Sequence, residues 1–119
     1  MTKAAPIHHA IDYIEITVND LSTAMQFYSE AFGWTFNSYG PGYAGIVRSD
    51  GGESGGICAG KPAPGGPLVI LYSSDLEASL QSVLAAGGTI EKELFSFPGG
   101  RRFEFADFSG NRLGVWTHE

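Results

Sequence analysis

Residues 13–21 read Tyr-Ile-Glu-Ile-Thr-Val-Asn-Asp-Leu, and residues 68–76 read Leu-Val-Ile-Leu-Tyr-Ser-Ser-Asp-Leu. The two stretches lie 55 positions apart, and both place Asp-Leu directly after an extended run that is largely apolar. Each is followed by a run with helical spacing of apolar residues that ends at glycine, Gly33 in the first copy and Gly87-Gly88 in the second. This repeat indicates two related half-domains packed about a pseudo-twofold axis, and we expect the function in the cleft between them.

The first copy predicts a strand, a helix and three more strands. Apolar and polar residues alternate over 12–19, which is typical of a strand with one buried face. Asp20 or Ser22 is expected to cap the helix that follows, and Gly33 is expected to end it in a left-handed conformation. Further strands are predicted near 34–38, 43–49 and 55–59. The apolar stripe predicted for the helix contains Leu21, Ala24, Met25, Tyr28 and Phe32.

The second copy repeats this order, with a strand at 68–73, Asp75 as the helix cap, and strands near 89–94, 101–106 and 112–117. We therefore predict an α+β fold of two βαβββ modules, in which a curved mixed sheet surrounds a shared cup. The chain is interpreted as a single domain over 1–119. Module one covers about 11–59, a Pro- and Gly-rich linker covers 60–67, and module two covers about 68–117.

Composition excludes several classes of function. A formal net charge of −6 over 119 residues argues against nucleic acid as a partner, because such a partner requires basic patches that neutralise phosphate. No apolar run reaches the roughly 20 residues of a membrane span, so no membrane partner is expected. The single cysteine, Cys58, suits a reducing compartment, and we expect a cytoplasmic protein.

Two motifs resemble those of a known superfamily. Asp-Leu-x-x-Ala-x-x-Phe-Tyr-x-x-x-Phe-Gly-Trp runs from Asp20 to Trp34, and Asp-x-x-Gly-Asn-x-x-Gly-x-Trp runs from Asp107 to Trp116. They are similar to motifs of the vicinal oxygen chelate superfamily, which contains glyoxalase I, extradiol dioxygenases and bleomycin-resistance proteins. The resemblance covers about residues 11–117. It implies the vicinal oxygen chelate fold and a homodimer.

The resemblance also implies four cup-facing positions at which metal-dependent members carry His, Gln or Glu. Those positions correspond here to Tyr13, Gly56, Leu68 and Gly114. Glycine and leucine offer no donor atom to a divalent cation, and a neutral phenol is a poor ligand. We therefore expect no metal and no cofactor. The chain's histidines are expected to be solvated surface residues, with the adjacent His8 and His9 pointing to opposite sides of an extended segment.

Strand alternation predicts which side chains face the cup. If Ile14 and Ile16 pack under the helix, Tyr13 and Glu15 point into the cup, and the repeat places Tyr72 there. The last strand of each module adds further residues. The side chains expected to bind the ligand are Tyr13, Glu15, Cys58, Tyr72, Arg112 and Trp116, and Glu15 and Trp116 are predicted to line one pocket.

Glu15 is the candidate catalytic base, because a carboxylate in an apolar concave site can act as an acid or a base. The alternative is a structural role, in an ion pair with Arg112 or Arg48 or at the rim. Glu104 alternates with two phenylalanines, and we expect it on a solvated strand face. For Arg101-Arg102, a solvated hairpin is favoured over an anion clamp.

The favoured function is metal-independent binding of a small, partly aromatic molecule in an apolar cup, as the resemblance to bleomycin-resistance proteins implies. The alternative is a lyase or dioxygenase-type enzyme, either metal-dependent or using Glu15 as its base. A pure interaction module is a third possibility.

Overall fold

The computed structural model describes residues 5–62 and 65–119, and they form two compact units. The first unit contains Tyr13–Pro67 and the second contains Pro6–Asp12 and Leu68–Glu119, each within the described ranges. Along the chain the order strand, helix, three strands occurs twice. The predicted α+β fold of two βαβββ modules is therefore confirmed.

The first module has a mixed four-stranded sheet and one helix. Its strands follow the order β2-β3-β4-β1, in which β1 and β4 are parallel and the other neighbours are antiparallel. The parallel register pairs Glu15 with Gly56 and Thr17 with Cys58. The elements are β1 (Ile11–Val18), α1 (Leu21–Phe32), β2 (Phe36–Ser38), β3 (Tyr43–Val47) and β4 (Glu53–Ala59).

The second module repeats this pattern. Its strands follow the order β5-β8-β7-β6, with β5 and β8 parallel and the other neighbours antiparallel. In register, Tyr72 pairs with Trp116, and Trp116 pairs in turn with Arg102 on the next strand. The elements are β5 (Leu68–Tyr72), α2 (Leu76–Ala85), β6 (Thr89–Phe97), β7 (Gly100–Ala106) and β8 (Arg112–His118).

Helix α1 begins and ends where the sequence predicts. The Asp20 carboxylate accepts the backbone N–H of Thr23 at 3.0 Å, so Asp20 rather than Ser22 is the cap. Gly33 adopts a left-handed conformation with φ of 72°, and its N–H donates to the carbonyl of Ser29. The apolar stripe is half-buried except at its end, because Phe32 is 66% exposed.

Helix α2 is capped in the same way but ends earlier than predicted. The Asp75 carboxylate accepts the N–H of Ala78 at 3.1 Å. The repeat predicts helices of equal length, yet α2 has 10 residues and α1 has 12. The reason is that Ala86 closes the last turn and Gly87, not Gly88, adopts the left-handed conformation, with φ of 96°. None of the described helices is long and apolar enough to cross a membrane.

The second module buries its helix more deeply than the first. Leu76 and Leu80 of α2 pack with Phe103 and Val115 of the sheet as one buried cluster. Helix α1 has no fully buried residue. Ile14 on β1 is 42% exposed, so it does not meet the condition of packing under the helix on which the predicted cup-facing side of β1 was based. The buried side chains of the first sheet lie instead on its inner strands: Ala44, Ile46 and Ile57.

Candidate functional site

Three side chains of the first module form a hydrogen-bonded series that we call the phenol chain: Tyr13, Tyr43 and Glu15. The Tyr43 hydroxyl donates to Glu15 Oε2 at 2.9 Å, and the hydroxyl oxygens of Tyr43 and Tyr13 lie 2.8 Å apart. All three residues are half-buried. Tyr13 and Glu15 both reach Tyr43 because alternate residues of β1 point to the same side of the sheet.

Gly56 makes room for the phenol chain. It is buried on β4 and lies opposite Glu15 in the parallel register. A Cβ atom added to Gly56 would overlap the hydroxyl groups of both Tyr43 and Tyr13. Any side chain at position 56 would therefore displace the two phenols from their present positions.

Burial keeps both phenols of the chain protonated. Burial raises the pKa of Tyr13 to about 12. The hydrogen bond with Tyr43 lowers this pKa, whereas the charges of Glu53 and Glu15 raise it. The pKa of Tyr43 is also raised, first by burial and then by the charge of Glu15. At neutral pH the two phenols are therefore hydrogen-bond donors, and the Glu15 carboxylate receives the last bond of the chain.

A second carboxylate, Glu53, lies on the same sheet. Its Oε2 accepts a hydrogen bond from Asn37 Nδ2 at 2.9 Å and another from the hydroxyl of Tyr39. The bond to Glu53 raises the pKa of Tyr39. A Cβ atom on Gly45 would overlap the Glu53 carboxylate, so a glycine again provides the space.

Cys58 lies beside Thr17 on the face of the sheet that carries Glu15. The Thr17 hydroxyl and the Cys58 thiol are 3.3 Å apart, and both residues are half-buried.

Four rings of the second module form what we call the aromatic cluster: Trp116, Tyr72, Phe97 and His118. The centroids of Trp116 and Tyr72 are 5.4 Å apart in an edge-to-face arrangement. The Tyr72 hydroxyl is 2.8 Å from His118 Nε2, and Phe97 packs within 6.4 Å of Trp116. Trp116 Nε1 donates to Asp12 Oδ2 at 2.9 Å, which fixes the orientation of the indole.

The solvated location predicted for Glu104 is wrong. Glu104 is only 6% exposed, and its carboxylate accepts from Arg102 Nη2 at 3.1 Å and from Arg112 Nε at 3.0 Å. Phe103 packs against α2, so Glu104 points away from that helix, where the two guanidinium groups compensate its charge. Arg112, a predicted ligand contact, is therefore paired with Glu104 and half-exposed.

The other predicted arginines also have carboxylate partners. Arg48 Nε lies 3.0 Å from Asp50 Oδ1. Arg101 pairs with Glu77, and this exposed pair matches the solvated hairpin that the sequence favours over an anion clamp.

The predicted arrangement of His8 and His9 is wrong. They do not lie on opposite sides of an extended segment, because His9 has a φ of 63° and the chain turns there. Their rings stack with centroids 3.7 Å apart. His8 Nδ1 accepts the N–H of Ser74, and His9 Nε2 lies 2.9 Å from Ser79 Oγ, so both imidazoles are anchored near the start of α2.

The residues at the four ligand positions do not fit a divalent metal. In the first module Tyr13 is a hydrogen-bonded phenol whose pKa is raised to about 12, and Gly56 has no side chain. In the second module the positions hold Leu68 and Gly114. Within residues 5–62 and 65–119, no group of three or more His, Cys, Asp or Glu side chains is arranged to hold a metal.

Two cavities lie apart from these clusters. A cavity of about 80 Å³ in the first module is lined by Ile16, Thr17, Pro62, Gly66 and Pro67. One of about 250 Å³ in the second module is lined by Val83, Ala86, Gly88, Phe105, Asp107 and Phe108. Neither lining includes a residue of the phenol chain or of the aromatic cluster.

Sequence reasoning missed Tyr43 and Asp12, which are hydrogen-bonded to predicted residues, and Glu53, whose charge acts on the predicted Tyr13. Tyr43 opens a predicted strand, and its alternation with Gly45 was visible in the sequence. Its partners on β1 follow from the strand order, with β4 between β3 and β1, which local patterns do not determine.

Comparison with known proteins identifies one matching family and several solved structures with a similar fold. The model of the Glyoxalase/Bleomycin resistance protein/Dioxygenase superfamily matches residues 10–115. A sequence search of curated proteins gives no match.

Among solved structures, methylmalonyl-CoA epimerase from Mycobacterium tuberculosis is similar with a TM-score of 0.69 and 17% identity, over 99% of this chain and 93% of that chain. The Mn(II)-bound glyoxalase from Novosphingobium aromaticivorans has a TM-score of 0.66 and 22% identity, over 90% of this chain and 38% of that chain. A superfamily member from Vibrio splendidus has a TM-score of 0.67 and 15% identity, over 88% of this chain and 96% of that chain. At these identities the likeness establishes the fold.

Proposed function

Because the chain belongs to the glyoxalase/bleomycin resistance protein/dioxygenase superfamily, we propose that it binds a small, partly aromatic molecule without a catalytic metal. The observation that carries the proposal is the phenol chain. The family resemblance puts metal ligands at the positions of Tyr13 and Gly56, and here the space beside Gly56 holds two phenolic hydroxyls. The phenol chain thus presents a hydrogen-bonded carboxylate where metal-dependent relatives would have their metal ligands.

The aromatic cluster supports an aromatic ligand. Trp116 is half-buried, and its indole N–H is already engaged by Asp12. An indole held in this way presents its ring as a preorganised contact surface at a low entropic cost. Trp116 is therefore proposed as the residue against which the ring of the ligand packs.

The proposal is tested with fragments that differ in charge. We expect Glu15→Gln to weaken binding of 2-phenylethylamine about tenfold, because an ammonium loses a charge-assisted partner. Binding of the neutral analogue 2-phenylethanol should be nearly unchanged. Isothermal titration calorimetry measures both affinities. The matched control is Glu91→Gln, which alters an exposed glutamate of β6.

Equal weakening of both fragments by the Glu15 variant, or weakening by the control, would contradict the proposal. Trp116→Ala should weaken both fragments, since the ring is common to them. A double-mutant cycle with Glu15→Gln then measures whether the effects of the two substitutions are independent.

A second candidate function is a metal-free enzyme with Glu15 as the base. The phenol chain favours it, because Tyr43 donates to Glu15 and so orients the carboxylate that would take up a proton. Under this alternative, Glu15→Gln abolishes turnover while binding persists. A metal-dependent lyase or dioxygenase is disfavoured by the side chains at the four ligand positions.

Two further expectations belong to this proposal. The homodimer that the family resemblance implies would be seen as twice the chain mass in light scattering. A cytoplasmic location would be seen with the full chain labelled in cells.

A further inference from the structure

The direction of the phenol chain follows from counting its protons. A phenol carries one hydroxyl proton, and the proton of Tyr43 is directed at Glu15 Oε2, 2.9 Å away. The hydroxyl contact between Tyr13 and Tyr43 at 2.8 Å must then use the proton of Tyr13. The donors therefore run from Tyr13 to Tyr43 to Glu15.

We propose that Tyr43 is a positioning residue that orients the Glu15 carboxylate by a hydrogen bond, at the end of a series that begins at Tyr13. The inference rests on the proposed function, in which Glu15 contacts the ligand. Tyr13 strengthens the bond from Tyr43, because a hydroxyl that accepts a hydrogen bond becomes a better donor. The chain also fixes the orientation of the carboxylate before a ligand arrives, which lowers the entropic cost of binding.

This arrangement defines the class of ligand group that can face Glu15. An oriented carboxylate attracts an ammonium or another N–H donor and repels a carboxylate or phosphate. The proposed ligand is accordingly an aromatic amine or a close relative. An aromatic acid of the same size should bind more weakly.

Other titratable groups lie near the phenol chain and must be separated from it. Glu53 on β4 acts on Tyr13 through its charge, and Tyr39 is hydrogen-bonded to Glu53. Tyr39→Phe therefore removes a hydroxyl bound to a carboxylate in the same sheet and keeps the ring, whose centroid lies 6.3 Å from that of Tyr43. It is the matched control for Tyr43→Phe.

The hydrogen-bond order of the phenol chain is tested without any ligand, by nuclear magnetic resonance of the protein labelled with ¹³Cζ-tyrosine. As the pH is lowered through the range in which carboxylates take up protons, the signals of Tyr43 and Tyr13 should move together. In Glu15→Gln the movement of the Tyr43 signal should vanish. In Tyr43→Phe the movement of the Tyr13 signal should be smaller, because Glu15 then acts on Tyr13 through its charge alone. In Tyr39→Phe the movement should keep its wild-type size.

Persistence of the Tyr43 movement in Glu15→Gln would overturn the inference. So would a Tyr13 movement of undiminished size in Tyr43→Phe, because the Glu15 charge alone would then account for all of it. Glu53→Gln separates the direct effect of that carboxylate on Tyr13, and it should leave the Tyr43 signal in place.

A second arm measures affinity for 2-phenylethylamine. We expect Tyr43→Phe to weaken it about fivefold and Tyr13→Phe about twofold. The double variant should be no weaker than Tyr43→Phe, since the two act in series. Gly56→Ala should match Tyr43→Phe although it retains both phenols, because its Cβ occupies their space.

Additive losses in the double variant, or full affinity in Gly56→Ala with an unchanged Tyr43 signal, would contradict the series arrangement. Melting temperatures identify any variant that fails to fold. If 2-phenylethylamine does not bind the wild-type protein, the proposed function fails. The tyrosine signals still test whether Tyr43 links Tyr13 to Glu15.

Discussion

The Glu104 carboxylate shows, at the scale of single residues, how a charge can be held inside this small protein. It is buried on β7 with Arg102 and Arg112 as hydrogen-bonded partners. Burying a carboxylate is costly unless it is paired, and removing its charge leaves the partner cations without compensation. Arg112 is half-exposed, so water recovers part of that loss.

Glu104→Gln should therefore lower the free energy of unfolding by about 2 kcal/mol. Urea unfolding followed by circular dichroism measures the change. The matched control is Glu77→Gln, which breaks the exposed pair with Arg101 and should have no measurable effect. If the two substitutions lowered the free energy of unfolding equally, burial would not explain the contribution of Glu104 to stability.

Single residues were predictable where they depended on a local period. Alternation along β1 was enough to put Tyr13 and Glu15 on one face, and both reach the Tyr43 hydroxyl. Tyr43 itself, and the pairing of Trp116 with Asp12, depend on contacts across 28 and 104 positions of sequence. Such contacts are set by strand order, which local patterns do not contain.

At the scale of the elements, the ends of the helices are fixed by short-range chemistry. Asp20 and Asp75 each accept a backbone N–H three residues ahead. These caps could be predicted because the capping preference acts within one turn. The shorter α2 could not, since two adjacent glycines offered alternative left-handed positions and Gly87 takes it.

Gly33→Ala should destabilise the protein by about 1 kcal/mol, because a Cβ is disfavoured in the left-handed conformation. The surroundings add no clash, as nothing lies within 4 Å of the added atom. Gly42→Ala is the control, with equally open space and no positive φ. A thermal unfolding series compares them, and equal stability of the two variants would contradict the conformational explanation.

At the scale of the whole molecule, the repeat of the sequence is the repeat of the fold. Each module combines 1 helix with a mixed sheet of 4 strands, in which the first and last strands of the module pair in parallel. This order of elements was predictable because the same sequence pattern occurs twice, so each copy supports the assignment of elements in the other. Chemistry differs between the copies, with a phenol chain in the first and an aromatic cluster in the second.

The central proposal is that the protein works without the metal that metal-dependent members of the superfamily carry. Its basis is the set of Tyr13, Gly56, Leu68 and Gly114 at the ligand positions, together with the phenols that fill the space beside Gly56. Elemental analysis of the purified, dialysed protein is the decisive measurement. We expect no stoichiometric transition metal. One equivalent of zinc, nickel, iron or manganese per chain that resists dialysis would contradict it.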